Sequence, residues 1–92
     1  MSNKIKEKYT FFYNNGVRKA KGEYLENIRD GVYKKYYISG NTEIEGNYKL
    51  GKKDGEWFFY SEDGSIIKTI LYEDGEIVEE IIYQEEIIIL EE

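Results

Sequence analysis

The sequence predicts an all-β fold, a single-layer antiparallel β-meander of stacked 24-residue hairpin repeats, and three observations carry that reading. The first is an internal period. Gly22-Glu23-Tyr24 returns one period later as Gly46-Asn47-Tyr48, and the same shift carries Asp30-Gly31 onto Asp54-Gly55, Tyr33 onto Trp57 and Tyr36 onto Tyr60. It also maps Gly16 onto Gly40 and Gly64, Tyr48 onto Tyr72, Gly51 onto Gly75, Tyr9 onto Tyr33 and Phe12 onto Tyr36, with no insertion. A fixed period of this kind marks one supersecondary unit that cannot bury its apolar face alone and stacks on its neighbours. The second observation is regular punctuation by Asn15-Gly16, Asp30-Gly31, Ser39-Gly40, Asp54-Gly55, Asp63-Gly64 and Asp74-Gly75. Such pairs supply the positive backbone dihedrals of tight hairpin turns. The third is that the segments between them are rich in β-branched and aromatic residues, which suit a pleated, half-buried surface.

Taken in order, the predicted strands are Lys8–Tyr13, Arg18–Leu25, Val32–Ile38, Thr42–Leu50, Glu56–Ser61, Ser65–Glu73 and Glu76–Tyr83, with Ile87–Leu90 the candidate for an eighth. All loops are short, so successive strands are expected to pair as antiparallel neighbours. The repeat frame divides the chain into units of about residues 13–36, 37–60 and 61–84, with residues 85–92 as a C-terminal cap, all in one domain. A helix competes for the C-terminal stretch, because Ile77, Ile81, Glu85 and Ile88 would share one helical face. The isoleucine run and the repeat frame favour a strand.

Gly22 and Gly46 fall inside predicted strands, where glycine weakens pairing unless a neighbour needs the room. The expectation is an aromatic ring across each: Tyr33 or Tyr36 over Gly22, and Trp57 or Tyr60 over Gly46. A bulge at each glycine is the alternative.

Composition restricts the chemistry. The 92 residues include no cysteine, histidine or proline, so disulfides, thiolate metal sites and imidazole proton transfer are excluded, and a chain this short buries a thin core. The positively charged N-terminus is not followed by an apolar run of signal-peptide length, and no stretch reaches the roughly 20 apolar residues of a membrane span. The chain is therefore expected to be soluble and cytoplasmic. Its net charge of −6 is unevenly spread. Residues 1–46 hold nine basic and six acidic groups, a net +3, whereas residues 47–92 hold four and thirteen, a net −9. That balance disfavours nucleic acid and anionic membrane surfaces as partners.

The best-preserved unit runs from Gly46-Asn47-Tyr48 through Gly51-Lys52-Lys53-Asp54-Gly55-Glu56-Trp57 to Tyr60, followed by Asp63-Gly64. It resembles a MORN repeat, and more closely the bacterial variant with Gly-x-Tyr, Gly-Lys-x-Asp-Gly-x-Trp and a closing Tyr-x-x-x-Gly. The first unit departs at Asn27-Ile28-Arg29, and a third retains only Gly64, Tyr72 and Gly75, with Val78-Glu79 where Asp-Gly would stand. The resemblance covers roughly residues 9–84. It implies an elongated sheet of stacked hairpins, and relatives that serve as antitoxin-like components in bacteria or as membrane-associated and scaffold modules in eukaryotes. Its signature contains no catalytic residue.

The residues themselves suggest no enzyme, metal or cofactor site. Asp30, Asp54, Asp63 and Asp74 each precede a glycine, where a carboxylate satisfies local backbone donors. Gly51-Lys52-Lys53-Asp54-Gly55 lacks the Gly-Lys-Ser/Thr of a phosphate loop, and Asp-x-Asp calcium spacing is missing. The aromatics are more informative. Consecutive residues of a strand face opposite sides, so Trp57 to Tyr60 place rings on both faces of a sheet that cannot cover both from within. One set is expected to pack the repeat and the other to meet a partner. The expected role is a non-enzymatic protein–protein interaction module with Tyr33, Tyr36, Tyr37, Trp57, Phe59 and Tyr60 as candidate contact residues. The rivals are a self-assembling structural protein and a specificity or scaffold module attached to an enzyme or a membrane. Ile87, Ile88, Ile89 and Leu90 have the profile of a self-associating edge, through which a homodimer would form.

Overall fold

The structure, a computed structural model, describes residues 4–83. Ile87, Ile88, Ile89 and Leu90 lie outside the described residues, as do Glu85 and Ile88 of the helical alternative. The strands are β1 (Lys6–Phe12), β2 (Arg18–Leu25), β3 (Ile28–Arg29), β4 (Gly31–Tyr36), β5 (Thr42–Lys49), β6 (Lys52–Tyr60), β7 (Ile66–Glu73) and β8 (Glu76–Ile82). They form one antiparallel sheet in the order β1-β2-β4-β5-β6-β7-β8, with the two-residue β3 paired to β2. The molecule spans only 12 Å along its thinnest axis. Two packed sheets lie about 10 Å apart before twist is added, so a single layer is what fits. Among the described residues, no helix is long and apolar enough to cross a membrane.

The period is written into the hydrogen bonds. At one end of the hairpins Tyr13 N–H donates to Val17 O (2.7 Å) and Gly16 N–H to Tyr13 O (3.0 Å). The same pair recurs as Tyr37 to Asn41 (2.8 Å) with Gly40 to Tyr37 (2.9 Å), and as Ser61 to Ser65 (2.8 Å) with Gly64 to Ser61 (3.0 Å). Side chains tie one unit to the next at the same spacing. The Tyr13 hydroxyl donates to Tyr36 O (2.7 Å), and that of Tyr37 donates to Tyr60 O (2.6 Å). Tyr37→Phe should therefore lower stability by about 1 kcal/mol, the usual value of one such bond, measurable as a shift in denaturation midpoint.

At the other end the turns differ from expectation. Asp30-Gly31 and Asp54-Gly55 are not hairpin turns. The chain reverses instead at Glu26-Asn27 (φ 50° and 67°), Leu50-Gly51 (50° and 86°) and Asp74-Gly75 (52° and 85°), each a two-residue turn with both dihedrals positive. Neither Glu26 nor Leu50 is a turn former by type, so the sequence hid these reversals, and β6 starts at Lys52 rather than Glu56. The Asp-Gly pairs serve a different purpose. Glu45 pairs with Phe58 and Asn47 with Asp54, so Gly46 alone faces the three residues Gly55, Glu56 and Trp57. Gly55 (φ 72°) begins this wide bulge, and Gly31 (φ 106°) occupies the same place in the first unit.

The bulge folds Trp57 back across Gly46, and a Cβ added there would fall within the indole. Both sequence readings of Gly46, a covering ring and a bulge, are thus realised together. Gly22 corrects the expectation, because its cover is Tyr9 of β1 rather than Tyr33 or Tyr36. Tyr33 is drawn towards the second unit, where it stacks on Trp57 (centroids 5.8 Å, interplanar 29°) and meets Tyr48 edge-on (5.8 Å). Tyr9, paired directly opposite Gly22, takes the vacated place and packs on Tyr24 (5.0 Å).

The third unit ends the pattern. Ile70 stands where Gly22 and Gly46 stood, and its own side chain, 5 % exposed, fills the space. With Val78-Glu79 replacing Asp-Gly, the bulge shrinks to one extra residue between Leu71 and Tyr72. The repeat would set Thr69 against Ile82, as Glu45 is set against Phe58, but Thr69 pairs with Ile81. A slip of one residue moves every later side chain to the other face. β8 is therefore strand, not helix, and each of its residues is exposed.

Candidate interaction surfaces

The six sequence-predicted contact residues do not share one surface. Trp57 and Tyr36 are 2 % and 6 % exposed, so they hold the sheet together and offer no contact area. Trp57 is the centre of an aromatic ladder, meeting Tyr33, Tyr48 (5.1 Å) and Tyr72 (6.1 Å), and its indole N–H donates to Asn47 O (3.1 Å). Arg29 and Lys53, equivalent positions of successive repeats, roof the ladder. The Arg29 guanidinium lies 5.2 Å from the Tyr48 centroid and donates to its hydroxyl (3.0 Å), while Lys53 Nζ lies 5.0 Å from Trp57 and 5.2 Å from Tyr72. Such cation–aromatic pairs contribute about 0.5–1 kcal/mol at exposed sites.

Phe59 and Tyr60 are half-buried on opposite faces, and Tyr37 is engaged in the tie to Tyr60 described above. Phe59 lies beneath Lys68 Nζ at 4.6 Å. It belongs to a cross-strand row, Phe11, Ala20, Lys35, Ile44, Phe59, Lys68 and Ile82, that crosses every long strand. The neighbouring row on the other face is Thr10, Lys21, Lys34, Glu45, Phe58, Thr69 and Ile81.

The Tyr60 hydroxyl donates to Glu45 Oε1 (2.5 Å), and burial together with that carboxylate pushes its pKa up to about 12. Raised folded-state affinity for the proton means that the unfolded state, titrating near 10, loses its proton first. This contribution to stability is full below pH 10 and disappears as pH rises towards 12. Burial likewise raises the hydroxyls of Tyr9, Tyr33 and Tyr37. The protein should unfold on alkalinisation, and Tyr60→Phe should flatten the decline between pH 10 and 12 in urea denaturation.

Asp63 has the opposite shift. Hydrogen bonds from the Ser61 hydroxyl and the Ser65 N–H (2.9 Å) hold its carboxyl at about 2, as a turn aspartate requires. Asp30 performs a related task by accepting the Leu50 N–H (3.1 Å) of the following hairpin turn. Among the described residues, no three or more His, Cys, Asp or Glu side chains gather where they could hold a metal.

What sequence reading missed is the apolar last hairpin. Of fourteen exposed large apolar residues among those described, seven belong to β7, β8 or the residue after it: Ile66, Ile67, Ile77, Val78, Ile81, Ile82 and Tyr83. The loss of Asp-Gly at Val78-Glu79 was the available signal.

Hairpins that repeat each other bond for bond, stacked edge to edge around a ladder of rings, define a single-layer hairpin-repeat protein. Residues 29–50 and 53–74, offset from each other by one full period, each match the family model of the MORN repeat variant, and the chain carries that repeat in tandem. MORN repeats are modules that bind proteins or membranes. No curated protein and no solved structure matches the chain.

Proposed function

We propose that this chain is a non-enzymatic module that binds a protein partner through its last hairpin, β7–β8, with Phe58 and Tyr60 of β6 as the adjoining surface. The supporting observation is β8 itself, which pairs only with β7 among the described strands and is exposed at every residue, so that Ile81 and Ile82 stand uncovered on its two faces. Concentrated apolar exposure of this kind marks interaction surfaces. Glu76, Glu79 and Glu80 on the same strand favour a partner with an apolar centre and a basic rim. An antitoxin-like role is the finer form of the proposal, in which the partner is a toxic protein whose activity the contact suppresses. Its support is the kinship of the repeat.

The test is capture of tagged full-length protein from its native cells, with Ile81→Glu/Ile82→Glu alongside. Both residues are exposed, at 42 % and 61 %, so the variant should keep the wild-type unfolding midpoint. Loss of one discrete partner in the variant is the expected result. Equal recovery of that partner by both proteins would overturn the assignment.

Among the described strands β8 has β7 as its single neighbour, and that edge also supports a second reading, self-association. A symmetric pair would bring two acidic edges together, so it should tighten as salt is added, whereas binding to a basic partner should weaken. Sedimentation from low to high ionic strength separates the two.

A further inference from the structure

The opposite edge of the sheet carries a feature that the fold does not require. Lys8 and Thr10 of β1, Lys21 of β2 and Lys34 of β4 project from one face around a depression of about 380 Å³ whose lining also includes Gly22 and Val32. Lys21 and Lys34 are direct cross-strand partners. Like charges set opposite one another on adjacent strands are destabilising. The repeat pattern calls for neither lysine: in the next unit the same places are held by Glu45 and Phe58, and in the one after by Thr69 and Ile82. Lys8 is succeeded by Val32 and Glu56. Lys34 is compensated by Glu45 (3.5 Å), and Glu23, which also lines the depression, is engaged by Lys6 (3.6 Å). Among the described residues, Lys8 and Lys21 form no ion pair.

The depression adjoins an unpaired backbone edge, since β1 pairs only with β2 among the described strands. Lysines along an edge also deter indiscriminate strand pairing, and that alone would account for Lys6 and Lys8. It does not account for Lys21 facing Lys34 on interior strands. We infer that the β1 edge receives an extended acidic segment of a protein by strand addition, with its carboxylates on the face of Lys8, Lys21 and Lys34. Main-chain hydrogen bonds would supply affinity, and alternate side chains specificity. On the opposite face the added strand would lie beside Phe11, which is 59 % exposed, so the segment alternates Asp or Glu with apolar residues. A nucleic acid or an anionic membrane fits less well, because three lysines make a small basic patch on a chain of net charge −6. This site lies at the far edge from β8 and stands independently of the contact proposed there.

The test is titration of the full chain with an end-capped synthetic peptide of alternating glutamate and valine, followed by calorimetry and by amide chemical shifts. Saturable binding is expected, with shifts centred on β1 and a tenfold or greater loss of affinity in Lys21→Glu. That substitution should leave the unfolding midpoint unchanged or raise it, because it places opposite charges across the β2–β4 pair. Lys8→Glu on the exposed edge provides the same readout should Lys21→Glu lower the midpoint. The inference is overturned by an absence of saturable binding at millimolar peptide, by equal affinity for a lysine–valine peptide, by undiminished binding in both variants, by shifts confined to β8, or by full displacement with millimolar inorganic phosphate, which would mark a simple anion pocket.

Discussion

Gly46→Val is expected to destabilise the protein by about 1–3 kcal/mol or more, the cost of overfilling a packed site. The Cβ alone would fall within the Trp57 indole, and relief would require the ring to leave the ladder it shares with Tyr33, Tyr48 and Tyr72. At roughly 0.05–0.15 kcal/mol per residue, 92 residues support a total stability of only about 5–14 kcal/mol, so the loss is a sizeable fraction of the whole. Urea denaturation measures it directly. A midpoint equal to wild type would show that the indole does not lie over Gly46.

Trp57→Ala should cost still more, about 3–5 kcal/mol, because it empties the most deeply buried side chain of the core and leaves Asn47 O without its indole donor. Only Tyr36, Trp57 and Ile70 are buried apolar residues among those described, so there is little other core to compensate. The two substitutions should also couple. Once the indole is gone Gly46→Val loses its collision, and the double variant should be more stable than the sum of single losses predicts, by an interaction energy on the order of 1 kcal/mol. Strict additivity would contradict the packing.

The repeat made most of the architecture readable. Superposing one unit on the next gave the sheet order and an aromatic cover on Gly46, with Trp57 and Tyr60 as the two candidates, of which Trp57 is the one that covers it. Local turn chemistry was a poorer guide. Gly55 has a positive φ as Leu50 and Gly51 do, but only Leu50-Gly51 closes a hairpin, because Gly55 is consumed in the bulge that turns Trp57 inward. Composition alone cannot apportion positive φ between a turn and a bulge. The cover on Gly22 was hidden for another reason, because Tyr33 stacks on Trp57 of the next unit and a strand preceding the glycine, rather than one following it, provides the ring.

The interaction surface was less legible for a different reason. Aromatic side chains signal both packing and contact, and Tyr36 and Trp57 proved to be buried while Phe59 and Tyr60 remain accessible. Burial in a repeat sheet is decided by register, and register at β8 depends on how many residues enter one bulge. Lys21 and Lys34 were equally inconspicuous, since two lysines in a sequence rich in them carry no signal until pairing sets the like charges opposite each other.

Site-specific photo-cross-linking in native cells tests the functional account most directly. A benzophenone side chain placed at Ile81 should yield one discrete cross-linked protein, and the same group at Ser39, on an exposed turn at the hairpin end, should yield none. Matching adducts at both positions, or no adduct at Ile81, would contradict a partner seated on the β7–β8 hairpin.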